Sequence, residues 1–445
     1  MVLRNMDRRE FFRLTALATL SAALIPGCAS GPAGGGGSVS SSSGPESPSK
    51  EFTGAKVMLG IDVLAAEGFA PLKGLRCGLV THKAGVNGAG VRTVDVLAGA
   101  PGVKLTKLFG PEHGIDGNAA AEVVVKNARD ARTGLPIYSL YGATRRPTPA
   151  MLADLDVVVI DFQDIGSRSY TYISCMRYVI EACFSLERPI KVIVLDRPNP
   201  LGGEKVDGPF IDRARRSYVG AYEMPYVHGL TIGEIARWAA ATPGVLEITE
   251  AQRARGKLEV ISMRGWRRSM TWDQTGLTWV PTSPRVPSPQ ATLGYAMVGL
   301  GCIIGDFSHS FGNQMHFRFL KYSRKRSADL ISTLGNTVPG LQLKPMVMPD
   351  GTQGVYTQVS DWNKLKPSAL SVYMMRQCCA WSATNPFAKA TNTERDLFIK
   401  HVGSEALFDE LKTKGAAVDV GAWLAKWDAQ SASFRARTAP FRLYV

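Results

Sequence analysis

VVVIDFQDIGSR (157–168) decides how this chain folds. Four apolar residues in a row, Val157 to Ile160, suit a strand buried on both faces, and the polar cluster after them marks its end. Working outward, the same form recurs in GLVTHKAG (78–85), KLFGPEHG (107–114) and VIVLDRPNP (192–200). Helical patterns over 91–98, 170–186 and 231–241 lie among these runs, so the chain reads as right-handed βαβ units with a Rossmann-like parallel sheet. In open α/β sheets, ligands bind outside the carboxyl ends of the strands. His82, Glu112, His113, Asp164, Arg168, Arg197 and Asn199 are therefore expected in one crevice. No G-x-G-x-x-G follows the first strand, which argues against a nicotinamide dinucleotide.

PTSPRVPSP (281–289) interrupts regular structure and divides the body. Residues 56–285 are expected to form the Rossmann-like domain and 286–445 a smaller α/β domain closing one side of the crevice. In the second part, 370–374 reads as a strand, and 404–412 and 420–427 as helices.

The first 28 residues read as an export signal. Arg8 and Arg9 form a twin-arginine pair, and the apolar stretch from Leu14 to Ile25 is too short to span a bilayer permanently. LIPGC (24–28) has the form of a lipoprotein cleavage box, which would make Cys28 the lipidated first residue of the mature chain. Pro26 is unusual there, so cleavage to an unanchored periplasmic form is the alternative. Residues 29–55 are a Gly/Ser/Pro linker that cannot bury a core and suits a tether. An exported periplasmic or cell-envelope lipoprotein is expected.

The formal net charge is +14. That suits anionic cell-wall polymers or lipid headgroups, or simply a solvated basic surface. No RNA-binding aromatic motif, zinc finger or basic helix is evident, so nucleic acid is not an expected partner. The cysteines beyond Cys28 are too widely spaced for a disulfide scaffold, and Cys77, Cys175 and Cys302 fall in apolar segments that suit buried thiols. His309 and His316 lack a companion acid cluster, so no metal is expected.

Four motifs make the reading specific: FGPEHG (109–114), DFQDIGSRSYTY (161–172), LDRPNP (195–200) and HGLTIGE (228–234). With TGLP (133–136), SLYG (139–142) and SPRVP (283–287), they resemble the YbbC/NamZ family of exo-acting β-N-acetylmuramidases. The resemblance implies a Rossmann-like domain paired with a smaller one and no metal or redox cofactor. It also implies release of N-acetylmuramic acid from the non-reducing ends of peptidoglycan-derived muropeptides or glycan.

Glycosidic cleavage uses one carboxylic acid to protonate the leaving oxygen and a second carboxylate as nucleophile or base. Glu112, stiffened by Pro111 and beside His113, is the first catalytic candidate, against the plainer role of a turn cap. Asp164 is the second, against a bracing salt bridge to Arg168. A guanidinium matches a carboxylate bidentately, so Arg168 or Arg197 would clamp the lactyl carboxylate of muramic acid. Tyr170 and Tyr172 diverge if they open a helix, leaving at most one to stack on a sugar. Asn199 between two prolines suits either a substrate contact or ordinary turn chemistry. His228 precedes a helix start and could face the crevice, whereas Thr231 and Glu234 have capping-box spacing. A serine hydrolase is unlike this chain, because GSRS (166–169) lacks the glycine a nucleophile elbow requires.

The chain departs from the family pattern at 305–315. GDFSHSFGNQM stands where relatives carry two glutamates and an arginine; Arg285 and His82 replace expected asparagines, and Asp116 an arginine. These changes leave a second reading open, a relative that binds cell-wall glycan without cleaving it.

Overall fold

The computed structural model describes residues 56–119, 123–309 and 315–445. The expectations for 1–55, including the signal, the linker and Cys28, lie outside the described residues, as does part of the altered loop, 310–314.

The four quoted runs are all strands. The first sheet contains β1 (Arg76–Thr81), β2 (Lys104–Gly110), β3 (Ala128–Arg129), β4 (Pro136–Ser139), β5 (Val157–Asp161), β6 (Lys191–Leu195) and β7 (Leu258–Ile261). Their spatial order is β3-β4-β2-β1-β5-β6-β7, parallel throughout except for β3 against β4. Chain order reverses between β1 and β5, which makes the gap beyond their carboxyl ends the topological switch point. Thr81 pairs with Asp161 at that edge.

Side chains alternate across the sheet, and this alternation governs where the polar residues go. Leu79, Val159, Ile193 and Leu195 pack on one face with α1 (Gly60–Ala66) and α2 (Thr93–Ala98). Val80, Val158, Ile160, Val192 and Val194 pack on the other with Leu152 of α3 (Pro149–Leu152), α4 (Tyr172–Ser185) and α5 (Ile232–Ala241). This second core runs without a break into the C-terminal part, through Ala291, Phe317, Leu320, Leu370 and Phe434.

After α6 (Glu250–Arg255), residues 281–288 carry neither helix nor strand, and α7 (Pro289–Val298) follows with Pro289 in its first turn. A smaller antiparallel sheet comes next, in the order β10-β11-β9-β8, from β8 (Phe307–His309), β9 (Phe319–Tyr322), β10 (Leu341–Val347) and β11 (Gln353–Val359). It is covered by α8 (Ser327–Leu334) and α9 (Ala369–Trp381), and the chain ends in α10 (Asn392–Val402), α11 (Glu405–Lys414) and α12 (Val420–Thr438).

The strand expected at 370–374 is instead the first part of α9. A short apolar run fits a buried strand or a buried helix equally, and here the apolar residues continue over three turns to Cys378.

The C-terminal residues return to the first domain. Tyr444 donates to Asp196 at 2.6 Å, the Leu443 amide donates to Glu234 at 2.9 Å, and the Arg268 amide donates to the Val445 carbonyl at 2.8 Å. Glu234 closes the expected capping box with Thr231 and also accepts from Arg268 at 2.6 Å and 2.8 Å, with its side chain fully buried. Removing one partner of such a pair strands a charge away from water. Arg268→Ala should therefore lower unfolding stability by about 3–5 kcal/mol in urea titrations. A loss under about 1 kcal/mol would place the pair in effective contact with solvent.

Candidate active site

Glu112 lies just past β2 and is 7 % exposed. Its Oε2 accepts from the Thr171 hydroxyl at 2.7 Å. Thr171 is the N-cap of α4, yet its side chain makes no capping bond to its own helix. A residue type that ordinarily satisfies helix amides spends its hydroxyl on a carboxylate instead. Glu112 is thereby held near the N-terminus of a fourteen-residue helix. His113 follows with φ +70°, a left-handed conformation that costs a non-glycine residue of order 1 kcal/mol. Two contacts with Ala119 hold it: the Ala119 amide donates to the His113 carbonyl at 3.1 Å, and His113 Nδ1 bonds the Ala119 carbonyl at 2.8 Å. A carbonyl cannot donate, so Nδ1 carries a proton, and Nε2 is the acceptor of the neutral ring.

Asp164 lies three residues past β5, and one of its oxygens is anchored. Oδ2 accepts from the Gly166 amide at 2.7 Å and from His228 Nε2 at 3.1 Å. His228 is fully buried, and its Nδ1 accepts from the Leu230 amide at 3.2 Å, so its proton belongs on Nε2, facing Asp164. Asp164 Oδ1 is buried with no hydrogen-bond partner among the described residues. An orphaned carboxylate oxygen is costly and marks a group to explain by function. Tyr170, in the loop between Asp164 and α4, and Tyr172, the first residue of α4, pack edge to face with ring centroids 4.8 Å apart.

Several expected substrate contacts are placed differently. Tyr170 and Tyr172 do not diverge; Tyr170 donates to the Thr282 hydroxyl at 2.8 Å and Tyr172 to the Thr282 carbonyl at 2.7 Å, because Tyr170 precedes the helix rather than opening it. Arg168 is fully enclosed. Its Nη2 donates to the carbonyls of Pro209, His401 and Val402, which ties the 161–172 loop to the C-terminal domain. Burial pushes its guanidinium down to about 10, so it remains charged at neutral pH; it makes no salt bridge to Asp164, and its Nε and Nη1 are buried with no hydrogen-bond partner among the described residues. Arg197 pairs with Asp161 through Nε at 2.5 Å and Nη2 at 2.8 Å. Asn199 spends its amide on backbone: Oδ1 accepts from the Leu201 amide at 2.9 Å, and Nδ2 donates to the Leu230 carbonyl at 3.0 Å. That is turn chemistry, and a Cβ on Gly166 would meet the same Oδ1 at 2.4 Å.

His82 occupies the switch point. Its Nε2 accepts from the Gln163 amide at 3.0 Å, which joins the ends of β1 and β5. Burial drives its pKa well below the usual 6.5, and the charges of Arg197 and His113 add to the shift. His309 is held down to about 3, first by burial and then by Arg285. Among the described residues, no group of three or more His, Cys, Asp or Glu is placed to hold a metal.

Sequence reasoning missed the partners that arrive from a distance. Thr171 lies within a quoted motif, and its position beside a helix start was the only available signal. Thr282, Tyr295 and His401 carried none. Tyr295 bonds Ser169 at 2.8 Å, and the Glu112 charge acts on both Tyr295 and His401. The C-terminal domain therefore borders the crevice.

Fold and site define a two-domain α/β protein whose larger domain brings two anchored carboxylates to a Rossmann-like switch point, bordered by residues of the smaller domain. The chain belongs to the NamZ family. Residues 77–290 match the family model for "Exo-beta-N-acetylmuramidase NamZ, N-terminal" and residues 293–444 its C-terminal counterpart. The chain is 39 % identical over 305 residues to the peptidoglycan beta-N-acetylmuramidase NamZ of Bacillus subtilis, covering 68 % of this chain and 70 % of that protein. A DUF1343 family protein of Bacteroides fragilis, known as a crystal structure, is 34 % identical with a TM-score of 0.78, covering 88 % of this chain and 99 % of that one. A second B. fragilis protein of that description, 23 % identical with a TM-score of 0.64 over the same shares, has the same fold.

His82 is neutral when folded and takes up a proton near pH 6.5 when unfolded, so its share of stability is intact above that pH and lost below it. Asparagine at this position can still accept from the Gln163 amide but does not titrate. Between pH 6.5 and 4.5, His82→Asn should lose stability less steeply than the parent, by up to about 1.4 kcal/mol per pH unit. Urea titrations across that range check the slope, and parallel slopes would show His82 protonating freely in the folded chain.

Proposed function

We propose that this chain is an exo-acting β-N-acetylmuramidase that releases N-acetylmuramic acid from the non-reducing ends of peptidoglycan fragments, with Glu112 and Asp164 as its reacting carboxylates. The NamZ family supplies the substrate class and the exo mode. The observation that carries the assignment of residues is Asp164, with Oδ2 locked by Gly166 and His228 while the buried Oδ1 is left without a partner. A carboxylate anchored through one oxygen can present the other to a sugar ring without first reorganising.

In this reading Glu112 protonates the glycosidic oxygen as the bond breaks. Asp164 faces the oxocarbenium-like charge that develops at the anomeric carbon, acting as nucleophile or as base for water. Thr171 and the start of α4 hold Glu112 in place. His228 is a positioning residue that orients Asp164. His113 Nε2 is available to accept from a sugar hydroxyl, and Tyr170 and Tyr172 brace the floor against Thr282. The Asn199 side chain acts on the turn beside the crevice, and Arg168 ties the 161–172 loop to the second domain through Nη2.

The location is part of the proposal. A peptidoglycan substrate places the enzyme in the cell envelope or outside the cell, and the twin-arginine pair and LIPGC (24–28) support export with lipid attachment at Cys28. No helix among the described residues is long and apolar enough to cross a membrane.

The full chain should release chromophore from a β-N-acetylmuramide and not from the β-N-acetylglucosaminide. Glu112→Gln should lower kcat by roughly 10²–10⁴. A variant that keeps its full rate would remove Glu112 from the chemistry; no release of either sugar by folded protein would favour the non-cleaving, glycan-binding reading. Thr171→Val should cost about tenfold in kcat with little change in KM, the worth of a hydrogen bond to a charged group. Membrane fractionation tests the anchor: Cys28→Ala should move the protein from the membrane pellet to the soluble fraction, and an unchanged distribution would exclude lipidation at that residue.

A further inference from the structure

Beside α1, just past the carboxyl ends of β1, β5 and β6, lies a cavity of about 310 Å³ whose lining includes neither Glu112 nor Asp164. Its volume is at the small end of the range for small-molecule sites and suits one monosaccharide-sized guest. Lys56, Leu59, Gln163, Arg197, Trp272 and Val280 line it, with the 87–90 loop at its edge.

The polar groups are few and their roles are assigned by their other bonds. The Gln163 amide nitrogen donates to the carbonyls of Asp164 and Pro198, both at 2.9 Å, which orients the group and leaves Oε1 as a buried acceptor with no partner among the described residues. Gln163 is 2 % exposed. A buried amide oxygen in that condition asks for a donor. Arg197 commits Nε and Nη2 to Asp161 and Val86, and its side chain lines the cavity. Lys56, hydrogen-bonded to the Gly88 carbonyl, adds a second cation at the rim. Trp272 and Leu59 supply an apolar wall.

Two cations, one acceptor for an N–H and an indole wall describe a ligand with a carboxylate, a secondary amide and a C–H face. We infer that this cavity is a second, non-catalytic site for a carboxylated N-acyl amino sugar, the chemical class of the released product; that choice of sugar rests on the proposed muramidase activity. The carboxylate sits between Lys56 and Arg197, the amide N–H donates to Gln163, and the pyranose face lies on Trp272, the packing aromatic side chains favour for sugar C–H surfaces. Bound there, product remains on the enzyme without blocking Glu112.

The test is calorimetric titration of the full chain with free N-acetylmuramic acid, alongside Lys56→Glu and Val280→Trp. Two equivalents should bind the parent; Val280→Trp, which fills the cavity, should bind one; and Lys56→Glu should weaken the second equivalent at least tenfold. Both variants should hydrolyse the chromogenic muramide at the parent rate. N-acetylglucosamine, which lacks the carboxylate, should not occupy the site. N-acetylalanine, which lacks the sugar, should bind at least tenfold more weakly, and equal binding would overturn the sugar assignment in favour of a peptide end. The same stoichiometry and affinity in all three proteins, or no binding to any, would overturn the site. A second equivalent lost in Val280→Trp, in a protein that hydrolyses no muramide, would uphold the cavity and reject the catalytic reading.

Discussion

The ion pair between Asp161 and Arg197 sets the level from which every site loop departs. Asp161 ends β5, and its carboxylate receives Arg197 at 2.5 Å and 2.8 Å and the Thr93 hydroxyl of α2 at 2.5 Å. Its carbonyl receives the Thr81 hydroxyl of β1 at 3.1 Å, and Arg197 continues to the Val86 carbonyl at 2.6 Å. Three strand ends and one helix are thus bound at a single point with both charges almost fully buried. Such a pair adds little net stability compared with an apolar substitute, but losing one member is expensive, so the geometry around it is strongly specified. Asp196 at the end of β6 does similar work with polar partners only, accepting from Thr231, Gly233, Arg197 and Tyr444. Burial lifts its pKa to about 6.

Just past the end of β5, neighbouring residues send their side chains to different partners. Gln163 and Asp164 are neighbours in sequence, yet one lines the cavity beside Leu59 and the other bonds to His228 on the side of α4. Arg197 goes with Gln163. The lining of that cavity includes neither Glu112 nor Asp164, and His82 joins the ends of β1 and β5 beside it.

The second domain does more than cover the first. Its carbonyls at His401 and Val402 hold Arg168, Tyr295 holds Ser169, and the C-terminal residues close over Glu234 and Asp196. One continuous hydrophobic core joins the two sheets, so the loop that carries Asp164 is fixed from both sides. A loop held in this way can keep an unpartnered carboxylate oxygen in place, because the cost is spread over contacts made elsewhere.

Strand identity, the parallel sheet, the break at 281–289 and the capping box of Thr231 and Glu234 were legible in the chain itself, since each follows from local periodicity or from residue spacing. So was the placement of Glu112 and Asp164 just past strands, and the likeness of four motifs to one family. The segment at 370–374 was misread because a short apolar run carries no period that separates strand from helix. The enclosure of Arg168 and the convergence of Tyr170 and Tyr172 on Thr282 could not be read, because each depends on a partner tens to hundreds of residues away; the turn role of Asn199 was one of two open readings, and its bond to the Leu201 amide chose it. Local sequence determined which elements form and which polar groups leave their ends; only tertiary packing decided which face each group occupies and which atoms remain unpaired there, because burial and long-range hydrogen bonding exist only once the sheets are assembled.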